Sequence, residues 1–514
     1  MGTVRFLHTI RYSNSSQYGN DKLFLEKQMD QRDGVAGSSQ TSFGRAKARL
    51  VLASLTAAGC AVLYACGGSS GSGSSVAAPP RGNVLAVESR GTAETWLMEG
   101  IAQSTGLEAL TGKPKCNVEL KHFEYDTVGP DGKGATSSSA MMVPRGTDAA
   151  CSGARPVVMF AHGTSFTKVK DQTAILTDLE NDPMFMMMIF AAQGYIVVSP
   201  NFLGYNDSSL GYHPYLVAET NGAESVDALR AGRKVMAGDA SVSFSPKLFL
   251  YGISEGGYVA MAAHKVIERD HAAEFTVRAS MPSAGPYNYF KFYTNLFAQP
   301  GNPAFDVSTQ LGITEGAEIL VPMLFESLQK THGAIYQTSP EEAFNAPYDK
   351  TIPGLFPTDA PVADLVRMGK LPLPTPQLNK LTGPGRLLSE EFRQKVASGA
   401  LPKLDQAIRD NTLLGWTPKA PMALCHGPRD KVVPFYNSTD VVADMKARGA
   451  TNVNLLNIDD PSTLSIAGPV APFAFGAFQQ AYRTGPVVNG GLDSYHYIFH
   501  LICPILAKGY FDQL

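Results

Sequence analysis

The chain has 514 residues, 44% of them hydrophobic and 17% charged, with a formal charge of −3. That is enough apolar material for a sizeable buried core. The near-balanced charge excludes nucleic-acid binding through a basic excess and excludes a solvating charged tail.

Taken in chain order, the first recognisable feature is an address. Arg45-Ala-Lys-Ala-Arg49 is basic, Leu50 to Leu63 is apolar and small, and Leu63-Tyr64-Ala65-Cys66 resembles a lipobox. A Gly/Ser run over residues 67–75 follows as a flexible spacer. The apolar run falls short of the roughly 18–20 residues that a spanning helix needs. The pattern reads as a bacterial lipoprotein signal cleaved before a lipid-modified Cys66, with a plain secretory signal cut near Ala77-Ala78 as the alternative. The polar stretch ahead of Arg45 reads as disordered, or as translated from too early a start. Residues 1–80 are thus leader and linker, and 81–115 an extension whose structure is left open.

An oxidising destination gives the later cysteines a bridging role. Val118–Thr127 and Ala135–Val143 read as strands around the turn Gly129-Pro-Asp-Gly132. If Thr127 pairs with Ala135, Cys116 falls opposite about residue 146 and close to Cys151. A Cys116–Cys151 bridge across the open end of the hairpin is expected. Next, Arg155–Ala161 is an apolar strand ending in His162-Gly163-Thr164. Asp182–Ala192 predicts a helix whose Met run is core. A strand at 195–199 and a helix over Glu224–Ala237 lead to the most informative stretch.

Lys247-Leu-Phe-Leu-Tyr251 has strand character, Tyr258–His264 reads as a helix, and Gly252-Ile253-Ser254-Glu255-Gly256 lies between them. Strand, G-x-S-x-G, helix is the nucleophile elbow, a strained turn that raises one serine above the end of a sheet. Its glycines are expected because strand and helix backbones approach too closely for a Cβ. Serine needs a base, and the base needs an orienting acid. In the fold that an elbow implies, the chain order is Ser, acid, His. After a strand at 276–281 and a long aromatic insertion, Pro421–His426 forms another buried strand, and Asp430 follows it on a loop closed by Val432-Val433-Pro434. The carboxyl edge of a parallel sheet is where such sites lie. A last strand is expected at 452–458. Two histidines follow Asp430: His496, in the polar context Asp493-Ser494-Tyr495, and His500, flanked by Phe499, Leu501 and Ile502. His496 is the favoured base and His500 a hydrogen-bonded core residue. Pro504 suits the first turn of a terminal helix, which would leave both histidines ahead of it. The oxyanion hole is expected from the amides of Thr164 and Glu255. Cys425 and Cys503 flank this site as a second bridge or as two buried thiols.

These segments together resemble the α/β-hydrolase superfamily and, within it, bacterial secreted lipases and esterases. The likeness rests on Ala161–Thr164, Gly194–Pro200, Leu203–Ser208, His213–Leu216, Ser225–Ala231, the Ser254 elbow and His426–Asp430. Tyr495-His496, Cys503 and Tyr510-Phe511 match that group's ending and support His496. Asn201 departs from the pattern, since many relatives carry Asp there. The resemblance implies a mostly parallel sheet flanked by helices, with hydrolase core in 81–285 and 419–514 and a cap over 286–418. Most of the cap aromatics, Tyr287, Tyr289, Phe290, Phe292, Tyr293 and Phe297 among them, would form its own core, and a few would line an acyl pocket. It further implies an exported serine hydrolase of carboxylic esters that acts through Ser254, Asp430 and His496. The substrate would be a small-molecule or lipid ester, with no metal or organic cofactor, no nucleic acid partner, and membrane contact only through the lipid anchor. A serine peptidase, with Glu219 or Glu224 holding a peptide terminus, and a catalytically silent binding lipoprotein are the alternatives.

Overall fold

The computed structural model describes residues 79–514 apart from 176–181, 298–315, 373–380, 382–384 and 485–493. The leader and Cys66 lie outside the described residues. Val84–Ala93 (β1), Asn117–Val128 (β2), Gly134–Arg145 (β3), Gly153–Ala161 (β4), Ile196–Pro200 (β5), Val242–Ile253 (β6), Val277–Ser283 (β7), Met422–His426 (β8) and Val453–Asn457 (β9) form one sheet. Their spatial order is β1-β2-β3-β5-β4-β6-β7-β8-β9. Pairing is antiparallel from β1 to β5 and parallel from β5 through β4 to β9.

The parallel strands are apolar runs because both of their faces are covered. In β4, Val157 and Met159 join one core while Val158 and Phe160 join the other; in β6, Leu248 and Leu250 alternate in the same way with Phe249 and Tyr251. Asp182–Ile189 (α1), Ala218–Met236 (α2), Glu255–Asp270 (α3), Ala317–His332 (α4) and Ser494–Phe511 (α5) are the helices that matter for the site. Helices α2 and α3 supply Val226, Leu229, Val259 and Ile267 to the first core, whereas α1 and α5 supply Phe185, Met187, Ile502 and Leu506 to the second. The Met run is buried, as its apolar context implied. Between β7 and β8 the named elements are all helical. No helix of the described residues is long and apolar enough to cross a membrane.

All eight expected strands are present. Thr127 stands opposite Ala135 and Asn117 opposite Arg145, and Cys116 and Cys151 are bonded with their Cα atoms 5.4 Å apart. Cys425 and Cys503 are bonded too, so the free-thiol alternative fails. Three features depart from expectation. Strand β1 lies in the extension, where the sequence carries no strand signal: it is an edge strand whose residues are mostly exposed, without the alternation that marks a half-buried strand. Helix α2 begins at Ala218, ahead of the expected Glu224, and runs through Gly222. A Cβ on it would come within 2.6 Å of Val266 in α3, so the glycine permits a close helix crossing. The terminal helix also starts early. It begins at Ser494, carries both histidines, and holds Pro504 in its interior. The ring costs the bond to the His500 carbonyl, but buried Tyr495, Phe499, Ile502, Cys503 and Leu506 anchor the helix on both sides of it.

Candidate active site

Ser254 stands between β6 and α3 with φ 57° and ψ −122°, a conformation that non-glycine residues rarely adopt. The turn is tight enough that a Cβ on Gly252 would lie 2.0 Å from the Gly256 carbonyl, and one on Gly256 would lie 1.9 Å from that of Ala161. The glycines of the pattern are therefore demanded by backbone contact. The Ser254 amide bonds to the Ser283 carbonyl of β7 at 2.9 Å, which ties the turn to the neighbouring strand.

Three side chains from distant parts of the chain meet here. His496 Nε2 lies 3.1 Å from Ser254 Oγ, and its Nδ1 lies 2.7 Å from Asp430 Oδ2. Asp430 is buried, and its other oxygen accepts the amides of Val432 and Val433 at 2.8 and 2.9 Å. His426 Nε2 reaches Oδ2 at 3.0 Å, and its Nδ1 is held by Ser438. Burial pushes the Asp430 pKa up, but the charge of His496 and the hydrogen bonds of His426 and His496 outweigh it. They hold the carboxyl well below the usual range. The Cys425–Cys503 bond ties β8, which leads to Asp430, to the helix that carries His496.

His500 makes neither of these contacts. Its Nδ1 meets Asp182 Oδ1 at 2.7 Å, and the second Asp182 oxygen faces the Gly163 amide at 3.5 Å. Both histidines nevertheless line the same cavity, with Ser254, Thr164, Glu255 and Tyr497. The rest of its wall is apolar: Phe166, Leu216, Phe292, Leu320, Leu324 and Val433 are typical. Of the cap aromatics, Tyr287, Tyr289 and Tyr293 are fully buried, and Phe292 reaches the cavity; nothing is described of the Phe297 side chain. Neither Glu219 nor Glu224 lines it. Glu219 pairs with Arg269 at the surface, and Glu224 is buried against Ser137. Asn201 is buried as well, bonded to Ser138 and to the Gln172 amide.

Sequence reasoning missed His426 behind Asp430, Asp182 behind His500, and His213 and Tyr215 behind Glu255 and Thr164. His213-Pro-Tyr-Leu216 stood among the matching segments, but nothing local gives it a role.

No protein-family model and no curated protein matches the chain. Solved structures do. The rice cell wall degrading esterase LipA from Xanthomonas oryzae is 28% identical, with a TM-score of 0.65 over 74% of this chain and 91% of that one. A protein of Legionella pneumophila (21% identity, TM-score 0.61, 78% of this chain and 99% of that one) shares the fold. So does Candida antarctica lipase A in its closed state, at 13% identity and a TM-score of 0.50 over 78% of this chain and 84% of that one. Sheet order, elbow and neighbours agree: the chain has the α/β-hydrolase fold and is similar across it to esterases and lipases.

Proposed function

We propose that the protein is a serine carboxylesterase of the lipase type, exported and anchored through a lipid on Cys66. The observation that carries the reading is the chain of contacts from Ser254 Oγ through His496 to buried Asp430, opening on an apolar cavity. His496 Nε2 takes the Ser254 proton as Oγ attacks the ester carbonyl, and Asp430 stabilises the imidazolium without being protonated. The amides of Thr164 and Glu255 hold the tetrahedral oxyanion, Glu255 from the positive end of α3. Collapse expels the alcohol with the proton returned by His496, and water then releases the acid by the same steps in reverse. The apolar wall suits an acyl chain, and absence of Glu219 and Glu224 from it removes the anchors considered for a peptide terminus. Two disulfides among the described residues agree with an oxidising compartment.

Turnover of p-nitrophenyl esters, with aminoacyl-nitroanilides beside them, tests this reading. The esters should be cleaved and a fluorophosphonate should label the protein. Ser254→Ala should abolish both while leaving the fold intact, because the elbow's strain is borne by its backbone. Labelling that survives in the variant would sink the assignment.

A further inference from the structure

The two amides assigned to the oxyanion come from separate elements, that of Thr164 from the loop after β4 and that of Glu255 from the first turn of α3. The side chains of both residues are nevertheless tied to one short segment, His213-Pro214-Tyr215-Leu216. His213 Nε2 lies 2.5 Å from Glu255 Oε1, and its Nδ1 lies 2.8 Å from the Leu203 carbonyl. Both ring nitrogens face acceptors, which suits an imidazolium against a carboxylate. Burial pushes the His213 pKa down, but the charge and hydrogen bond of Glu255 more than reverse it, leaving it raised. The ring is stacked on Phe202 at 5.7 Å and stands 4.8 Å from Tyr205. Two residues on, Tyr215 Oη lies 3.0 Å from Thr164 Oγ1.

The segment is itself held from several sides. The Tyr215 carbonyl accepts from Ser327 Oγ on the cap helix α4 at 3.0 Å, and the Leu216 carbonyl accepts from Tyr258 Oη on α3 at 3.1 Å. Leu216 has φ +56°, a conformation unfavourable for leucine, and its side chain lines the cavity. Strain, cavity contact and paired tethers coincide within four residues.

We propose that His213–Leu216 is an oxyanion strap. His213 acting through Glu255, and Tyr215 acting through Thr164, are positioning residues that set the two amides at the spacing a tetrahedral oxyanion requires. The Ser327 bond couples that spacing to the seat of the cap helix. The inference rests on the reading of Ser254 as nucleophile with these two amides beside it. Its physical basis is that hydrogen-bond donors stabilise a developing charge only when they are held in advance where it forms.

The test uses Tyr215→Phe, Thr164→Val, their combination, and His213→Gln in the full chain, with kcat and KM on a p-nitrophenyl ester. Inhibition by a trifluoromethyl ketone, which mimics the tetrahedral oxyanion, is measured beside it. Each single change should lower kcat by about ten- to a hundredfold while KM moves by less than about twofold. Ketone affinity should weaken in step with kcat. The Tyr215→Phe/Thr164→Val pair should be no slower than the slower single variant, because both remove the same contact. Tyr215→Phe conserves volume and serves if His213→Gln does not fold. Full kcat in Tyr215→Phe and Thr164→Val, or losses that multiply in the pair, would overturn the strap. If those variants keep full kcat while Ser254→Ala is inert, the strap alone falls. If Ser254→Ala still turns over, the underlying site reading falls and takes the strap with it.

Discussion

One helical turn separates His496 from His500, and the structure gives each its own carboxylate. His496 bridges Ser254 and Asp430, whereas His500 is paired with Asp182. The two should therefore fail differently. His496→Ala should cost about 10⁴-fold or more in kcat, with residual catalysis from oxyanion hole and binding. His500→Ala leaves Asp182, 2% exposed, without its imidazole, and should cost about 3 kcal/mol of stability. Its folded fraction should keep most of its turnover. Denaturant titration beside steady-state kinetics separates these outcomes. A collapse of kcat in the His500 variant at unchanged stability would reverse the two assignments. The polar neighbours of His496 and the apolar ones of His500 are visible in the sequence, but they do not predict burial: His496 is buried, whereas His500, expected in the core, is part-exposed and lines the cavity. Asp182, which holds His500, was not visible, because no spacing rule joins a residue on α1 to one on α5.

At the scale of elements, α2 meets the β2–β3 hairpin through buried polar contacts: Asp227 with Thr127 at 2.8 Å, and Glu224 with Ser137 at 2.6 Å. Burial raises the Glu224 pKa to about 7, despite the hydrogen bond from Ser137 that opposes it. The sign follows from linkage. A carboxyl whose folded pKa lies above its unfolded one contributes stability in full below about pH 4.5 and loses it as pH rises towards 7. Glu224→Gln should remove this dependence. It should flatten the fall in Tm between about pH 4.5 and 7, with a difference on the order of 3 kcal/mol at pH 7. Parallel slopes for the two proteins in thermal scans would show that Glu224 ionises without penalty. The helix was legible in the sequence except for its first turn and a half, which holds Gly222, a poor helix former. The terminal helix was misplaced for the opposite reason, since Pro504 imitates a start. Local propensity lost in both places to tertiary burial.

The whole molecule brings the site together at one edge of the sheet. Loops after β4, β6 and β8 supply Thr164, Ser254 and Asp430; helix α5 returns His496 to them, and α4 closes over the cavity with Leu320, Val321 and Leu324. An apolar wall built from both core and insertion should favour longer acyl groups. Each further buried methylene is worth at most about 0.8 kcal/mol, roughly fourfold in kcat/KM until the cavity is full. A p-nitrophenyl series from acetate to octanoate should therefore rise before it levels. A flat or falling series would mean that the apolar wall does not hold the acyl chain.

The sequence by itself determined the elements whose signal is local. Buried parallel strands read as unbroken apolar runs, the elbow's glycines mark a backbone contact that no other residue survives, and the Thr127–Ala135 register put Cys116 beside Cys151. Tertiary structure decided what depends on partners far away in the chain. It bonded Cys425 to Cys503, set His426 and two amides around Asp430, and joined His213 to Glu255 and Tyr215 to Thr164. Such contacts leave no periodicity, because each partner needs only the right chemistry at a point that the fold, not the spacing, brings close.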